Sequence, residues 1–461
     1  MDESKKEIYR RLTDKYNSKT FMYIEYPHKS FWREDFNEND FKKGLESLGG
    51  ENKGEPLLLY VHIPFCPQRC FYCTCHTSVS NDHEKIKKYL KFLYKEMDLF
   101  QNFFDKKRIT PNFTEIHLGG GSPTHLNIEE FDSLIKRIHS FVDIGKLGEF
   151  SIEIDPRYTD RERMFYYWSK GINRISFGVQ DFDPQVQKAI NRIQPPEMIE
   201  DLINPDIRRL FKKGVNFDII CGLPNQTPKS IKKTFEKILD MSPDRVCFNY
   251  LDYAPKFFRH QEFMIDGKNG RPTKLPDNYE RKILFTTGLE TLTEGGYLRT
   301  GYDHFAKPED EIAKAMLEGR MRWNALGVTA GRYSNVIGIG PHSASTVGNY
   351  YSQNVYGVEN YQEIVEKDTI PSFRGHRLDK DDLIRREVIQ TIRNFFFLNY
   401  EKIERKYDIN FKRYFKKEIS FLEKFVEDGL LKKTDKSIGV TDLGKDFVLF
   451  ICKTFDAYIE N

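Results

Sequence analysis

From Leu57 onward, short apolar runs alternate with amphipathic segments at intervals that suit repeated strand-then-helix units. Six runs read as strands, at residues 57–62, 115–118, 150–154, 174–177, 217–220 and 245–248. Between them, residues 85–102, 128–141, 161–170, 199–213 and 228–241 read as helices, most opened by Pro, Asp, Asn or Ser. Strands separated by helical crossovers pair in parallel, so the fold class is α/β. Periodicity alone leaves open whether six such units make an open doubly wound sheet or a partial barrel. Either way, ligands belong beyond the carboxyl ends of the strands, and the loops there are where chemistry is sought. After Tyr250 the pattern loosens. A Gly/Lys/Pro-rich stretch near 266–276 reads as a surface insertion, and residues 278–294 read as a helix. The expected division is an N-terminal segment (1–55), a strand–helix region (56–375) and a helix-rich C-terminal domain (376–461). That last domain has a hairpin near 430–440 and a closing helix from Thr441, a winged-helix-like outline.

Composition narrows the class. Over 461 residues, 72 Lys+Arg face 69 Asp+Glu, a net charge of +3, so no domain-scale basic excess supports a nucleic-acid binder. With 39% hydrophobic and 14% aromatic residues the chain can offset its ordering entropy, which excludes a disordered protein. The N-terminus is charged from its second residue and shows no apolar signal region, and no run approaches the ~18 apolar residues of a membrane span. A cytoplasmic location is the simplest expectation. Of seven cysteines, Cys66, Cys70, Cys73 and Cys75 crowd one short segment, which suits metal or redox chemistry better than a disulfide framework.

That segment follows the first strand directly. Three thiolates spaced CxxxCxxC on a strand-end loop can take three corners of a 4Fe-4S cube and leave one iron open to a ligand. Cys75, two residues past Cys73, is cramped as a fourth ligand. A zinc knuckle using His76 or His62, or unligated thiols, remain open on spacing alone. The next strand end carries Gly119, Gly120 and Gly121, where bare backbone can approach a ligand; alone, such a run is more often a tight turn. Later strand ends and the loops after them present Glu153, Gln180, Arg192 and Asp218. Each alone is more often a helix cap or a surface ion pair, but together they face one mouth. Phe71–Tyr72 and Phe248–Tyr250 read as core or cavity wall.

The motifs CPQRCFYC, HLGGGSPT, SIEIDP, ISFGVQDF and FDIICGLPNQTP resemble the series found in radical S-adenosylmethionine enzymes. Cys75, the segment KYNSKTFMYIEYP, the segment YDHFAKPEDE and the C-terminal domain together resemble the oxygen-independent coproporphyrinogen III oxidase (dehydrogenase) family. The resemblance implies a partial (β/α)6 TIM-type barrel and an N-terminal segment that covers the substrate. It implies that Cys66, Cys70 and Cys73 hold a 4Fe-4S cluster whose open iron chelates one S-adenosylmethionine. Tyr60, Gly120 and Glu153 fall at contacts to that molecule, and Gln180, Arg192 and Asp218 at contacts to a second. Tyr72, Gly121 and Ser122 fall at further contacts to the second molecule, Ser122 standing where the family usually has Thr. Leu251 and Ala344 fall at weaker cofactor positions. The implied reaction is reductive cleavage of the sulfonium to a 5′-deoxyadenosyl radical, hydrogen abstraction from a propionate, and loss of carbon dioxide and an electron to leave a vinyl group. Two rounds convert coproporphyrinogen III to protoporphyrinogen IX in haem biosynthesis. The implied partners are the tetrapyrrole and an electron donor such as a flavodoxin or ferredoxin, and the implied state is a monomer. Two departures bear on substrate: Met22 stands where the family has an Arg that meets propionates, and the region from Asn324 to Ser345, with Gly331, differs from the family's usual text. They keep two alternatives in view, a related radical enzyme that methylates or opens a tetrapyrrole, and a haem chaperone. Cys75 and the long N-terminal segment argue against the chaperone.

Overall fold

The structure is a computed structural model that describes residues 3–18, 20–266, 273–324, 327–331 and 335–460. They form two compact units. The larger comprises Glu34–Gly295 and Tyr333–His376. It contains all six expected strands: β1 (Pro56–Ile63), β2 (Asn112–Gly120), β3 (Glu149–Ile154), β4 (Arg174–Gln180), β5 (Val215–Cys221) and β6 (Arg245–Tyr250). Each pairs in parallel with the next, which makes the sheet of a partial barrel. Seven of the eight residues of β1 are buried, which is why the strand reads as an unbroken apolar run.

The other edge of β1 carries an addition that periodicity did not reveal. β7 (Asn335–Ile339) pairs with it in parallel, and β8 (Ala344–Val347), β9 (Tyr350–Asn354) and β10 (Ser372–Arg377) continue outward, with β7–β8 and β8–β9 antiparallel.

The crossover helices follow their caps. In α1 (His83–Lys107) the Asp82 carboxylate accepts from the amides of Glu84 and Lys85, and in α2 (Ile128–Phe141) Asn127 and Glu130 form a capping box. Then come α3 (Arg161–Ser169), α4 (Pro184–Ala189), α5 (Pro228–Met241) and α6 (Asn278–Glu294). The helix expected over 199–213 is instead two short helices, Pro196–Leu202 and Pro205–Arg208. Pro205 has no amide proton to continue the first, and Asn204 caps the second. The expected insertion near 266–276 lies partly outside the described residues, which resume at Thr273.

Several acids are buried in this unit, Glu96 and Asp181 completely. Glu96 on α1 is fully inaccessible and accepts from Tyr361 Oη at 2.6 Å, Asn354 Nδ2 at 2.7 Å and the Gly340 amide at 2.8 Å. The carboxylate thereby fixes the β7–β8 connection to the helix layer.

The smaller unit joins Met1–Arg33, Gly296–Arg332 and Arg377–Asn461. The expected hairpin is Leu431–Lys433 with Ser437–Val440, and Phe397–Asn399 adds a third strand. Beyond Thr441, whose hydroxyl accepts from the Gly444 amide, two short helices, Asp442–Lys445 and Val448–Lys453, replace the single closing helix expected. Arg393 is fully buried at the centre of this unit. Its guanidinium lies 3.5 Å from the Trp323 ring centroid, and its Nε donates to the Met22 carbonyl at 2.7 Å.

Candidate active site at the carboxyl ends of the strands

The cysteine loop leaves β1 and is held along its length by backbone. A short parallel pairing of Phe65–Cys66 with Ser78–Val79 closes its base. The Phe71 amide donates to Ile190 O at 3.0 Å, and Arg69 donates to the Thr77 carbonyl at 2.9 Å. From the opposite side, His260 Nε2 donates to Cys73 O at 2.8 Å and Gln261 Nε2 donates to Tyr72 O at 3.0 Å. All four thiols of the loop are free, Cys70 buried and Cys75 exposed. Two guanidinium groups reach the Cys70 sulfur, Arg157 at 3.4 Å and Arg192 at 3.5 Å. Burial and the neighbouring thiols push Cys66 up to about 12, whereas the hydrogen bond with Cys75 draws Cys73 down to about 7.

The glycine run at the end of β2 pairs beside the end of β1, Gly119 opposite His62 and Gly120 opposite Ile63. The Gly120 amide donates to Glu153 Oε2 at 3.1 Å, while Gly121 and Ser122 donate backbone bonds to Ile63 O and Phe65 O at 2.8 and 2.9 Å. Gly120 has φ +113°, and a Cβ there would sit 2.6 Å from His62 Nδ1; one at Gly121 would sit 2.7 Å from Phe65 O. Only glycine lets this loop approach so closely. His62 Nδ1 lies 2.9 Å from Tyr60 Oη, and burial drives its imidazole down to about 4. Burial works to raise the Glu153 carboxyl, but His117 Nε2 at 3.2 Å and the Gly120 amide outweigh it, so Glu153 is held below the ordinary carboxylate range.

Arg192 is buried and donates to Gly178 O at 2.7 Å and Gln194 Oε1 at 2.9 Å. Its Nη1 is 3.3 Å from Asp155, which Arg157 also engages at 2.7 Å. Against its burial, these two cations hold the Asp155 carboxyl at about 2. Gln180 is buried at the end of β4 in the left-handed region, φ +67°. Asp218 on β5 accepts from Ser176 Oγ and Asn216 Nδ2, each at 2.9 Å. Burial raises the Tyr72 phenol well above its ordinary value, opposed by Arg192. Leu251 is buried in an apolar cluster with Val186, Ile190, Leu223 and Met264, against which Phe71 and Tyr72 pack. Ala344 lies on β8 opposite Gln353. Cys66, Cys70, Cys73, Tyr60, Gly120 and Glu153 therefore gather where β1, β2 and β3 end, with Arg192 joined to them through Cys70.

Residues 60–238 match the radical SAM superfamily, and residues 378–447 match the HemN C-terminal domain. An oxygen-independent coproporphyrinogen III oxidase of Synechocystis is 34% identical over 459 residues, 99% of this chain and 96% of that protein. One of Helicobacter pylori is 36% identical, covering 95% of this chain and 94% of its own. The solved coproporphyrinogen III oxidase (HemN) of Escherichia coli superposes with a TM-score of 0.86 at 33% identity, covering 95% of this chain and 98% of that one. This chain belongs to the oxygen-independent coproporphyrinogen III oxidase family.

It is a radical SAM oxidoreductase, and the cofactors of that superfamily are a 4Fe-4S cluster and S-adenosylmethionine. The donor set fits the oxidase family's cluster. Thiolates are the ligand form, and the Arg157 and Arg192 guanidinium groups lie within hydrogen-bond reach of the Cys70 sulfur. No helix of the described residues is long and apolar enough to cross a membrane. Sequence reasoning passed over Asp155, which stands in the quoted SIEIDP text, and Arg157, the residue directly after that text, and it missed the His260–Gln261 brace in the loosened region. The three cysteines outside the loop, Cys221, Cys247 and Cys452, are all buried.

Proposed function

We propose that this oxidase decarboxylates two propionates of coproporphyrinogen III to vinyl groups without oxygen, giving protoporphyrinogen IX. The observation that carries the reading is the near-full-length relation to oxidases of that name together with the arginine-supported cysteine loop. In this reading Cys66, Cys70 and Cys73 hold the cluster, and Cys75 stays outside the ligand set. When bound, the cluster and S-adenosylmethionine supply a 5′-deoxyadenosyl radical able to take hydrogen from a propionate. Tyr60, Gly120 and Glu153 orient a first S-adenosylmethionine; Glu153, ionised at neutral pH, accepts from its ammonium. Gln180, Arg192 and Asp218 orient a second, assisted by Tyr72, Gly121, Ser122, Leu251 and Ala344, and the Arg192 fork suits a carboxylate. The buried, uncharged His62 keeps the Gly120 loop in place without adding a competing charge. A flavodoxin or ferredoxin supplies electrons to a cytoplasmic monomer.

The test is anaerobic turnover of the reconstituted enzyme with reductant, S-adenosylmethionine and coproporphyrinogen III. The expected products are carbon dioxide and a divinyl tetrapyrrole in a ratio of two to one. Deoxyadenosine without decarboxylation, or a methylated tetrapyrrole, would overturn the reading.

A further inference from the structure

Beyond Cys75 the larger unit builds an aromatic shelf. The imidazoles of His76 and His342 stack with centroids 4.1 Å apart and planes 2° from parallel. Tyr356 lies 5.1 Å from His76 and 4.7 Å from His342, and Phe258 lies 5.1 Å from His76. His342 is in turn 6.3 Å from His62, the residue against which the Gly120 loop rests. The shelf therefore adjoins the site already described.

Arg374, half-buried on β10, edges this shelf. Its guanidinium carbon is 5.3 Å from the Tyr356 ring centroid and 5.5 Å from that of Phe373. Its Nε and Nη2 both donate to Gln353 Oε1, at 2.8 and 2.5 Å. Gln353 is itself fixed, because its Nε2 donates to His342 O at 2.9 Å. Two donors thus share one neutral oxygen, and among the described residues no carboxylate stands within ion-pair distance of Arg374. Glu34 is near enough for its charge to raise the Tyr356 phenol, a shift caused first by burial, yet it forms no ion pair with Arg374.

A guanidinium so held is partly desolvated, oriented by an amide and by aromatic faces, and has no ion-pair partner among the described residues. A planar carboxylate completes it, and the stacked rings beside it offer a face to a flat pyrrole. The ligand that matches is a flat heteroaromatic body bearing carboxylates. The thioether of Met22, at the place of the family's N-terminal arginine, cannot supply such a pairing.

We propose that Arg374, braced by Gln353 and set beside the His76–His342–Tyr356 shelf, pairs with a propionate of the tetrapyrrole. The inference rests on the decarboxylase reading, and the experiment separates the two. Coproporphyrin III, the stable oxidised tetracarboxylate, is titrated into cluster-loaded, anaerobic enzyme with S-adenosylmethionine present, and its fluorescence is followed. Its tetramethyl ester is titrated in parallel. Losing a bidentate charged pair should weaken binding of the acid by R374Q about tenfold or more. The ester should bind both proteins alike and more weakly than the acid binds wild type. Equal affinity of wild type and R374Q for the acid would overturn the role of Arg374 while leaving the decarboxylase reading standing. Absence of any tetrapyrrole binding to wild type would overturn that reading itself. If R374Q does not load its cluster, wild type alone decides: equal affinity for acid and ester overturns the inference.

Discussion

Replacing Glu96 by Gln separates the charge of a buried acid from its hydrogen bonds. Burial pushes the Glu96 carboxyl up from 4.5 to about 7, against the lowering effect of the bonds from Tyr361, Gly340 and Asn354. The folded state therefore prefers the protonated acid more strongly than the unfolded chain does. The stability this contributes is fully present below the unfolded value of 4.5 and is lost as pH rises through the folded value of about 7. At 1.36 kcal/mol per unit, the wild type should lose roughly 2–3 kcal/mol from this group between about pH 5 and about pH 8. The glutamine variant has no such charge to bury. It pays a pH-independent cost of about 1–2 kcal/mol, because one side-chain oxygen can still accept from Tyr361 and Gly340 but its amide then meets Asn354 Nδ2. Urea unfolding of both proteins, followed by tryptophan fluorescence across this range, should show the wild type more stable in acid. The difference should vanish or reverse above neutrality. Parallel pH profiles for the two proteins would refute the assignment of Glu96 as the titrating group.

Cys70→Ala should abolish the broad visible absorption of the reconstituted cluster, whereas Cys75→Ala should retain it; absorption unchanged in the first variant would remove Cys70 from the ligand set. Gly120→Ala puts a Cβ 2.6 Å from His62 Nδ1 at a φ of +113°, so it should cost about 1–3 kcal/mol of stability. It should also weaken S-adenosylmethionine binding in equilibrium dialysis, and unaltered melting and binding would show that the loop does not need its close approach.

What could be read from the sequence follows from how each part is buried. β1 to β6 stand out because strands covered on both faces leave apolar runs, and their helices because caps such as Asn127 and Asp82 mark the starts. β8 and β10 are half-exposed, with polar positions such as Ser345, Arg374 and His376, so neither period shows. The break at Pro205 was visible as a residue but was outweighed by the amphipathic pattern around it. At the site, the cysteines and glycines declare themselves through spacing. Glu96 and Arg374 do not: an acid on a long amphipathic helix and an arginine in SFRGHR both look like surface charge. Only the partners brought in from Gly340, Asn354 and Tyr361, or from Gln353 and Tyr356, reveal otherwise. The brace of His260 and Gln261 on the cysteine loop spans 187 and 189 residues of sequence, beyond the reach of any local pattern.

The central claim is that a radical generated at the cysteine loop takes hydrogen from a propionate side chain of the tetrapyrrole. It is tested most directly by anaerobic turnover with coproporphyrinogen III deuterated on its propionate methylenes, followed by mass spectrometry of the 5′-deoxyadenosine. Deuterium in the deoxyadenosine, appearing together with the vinyl product, is the predicted result. Vinyl product formed alongside unlabelled deoxyadenosine would contradict it.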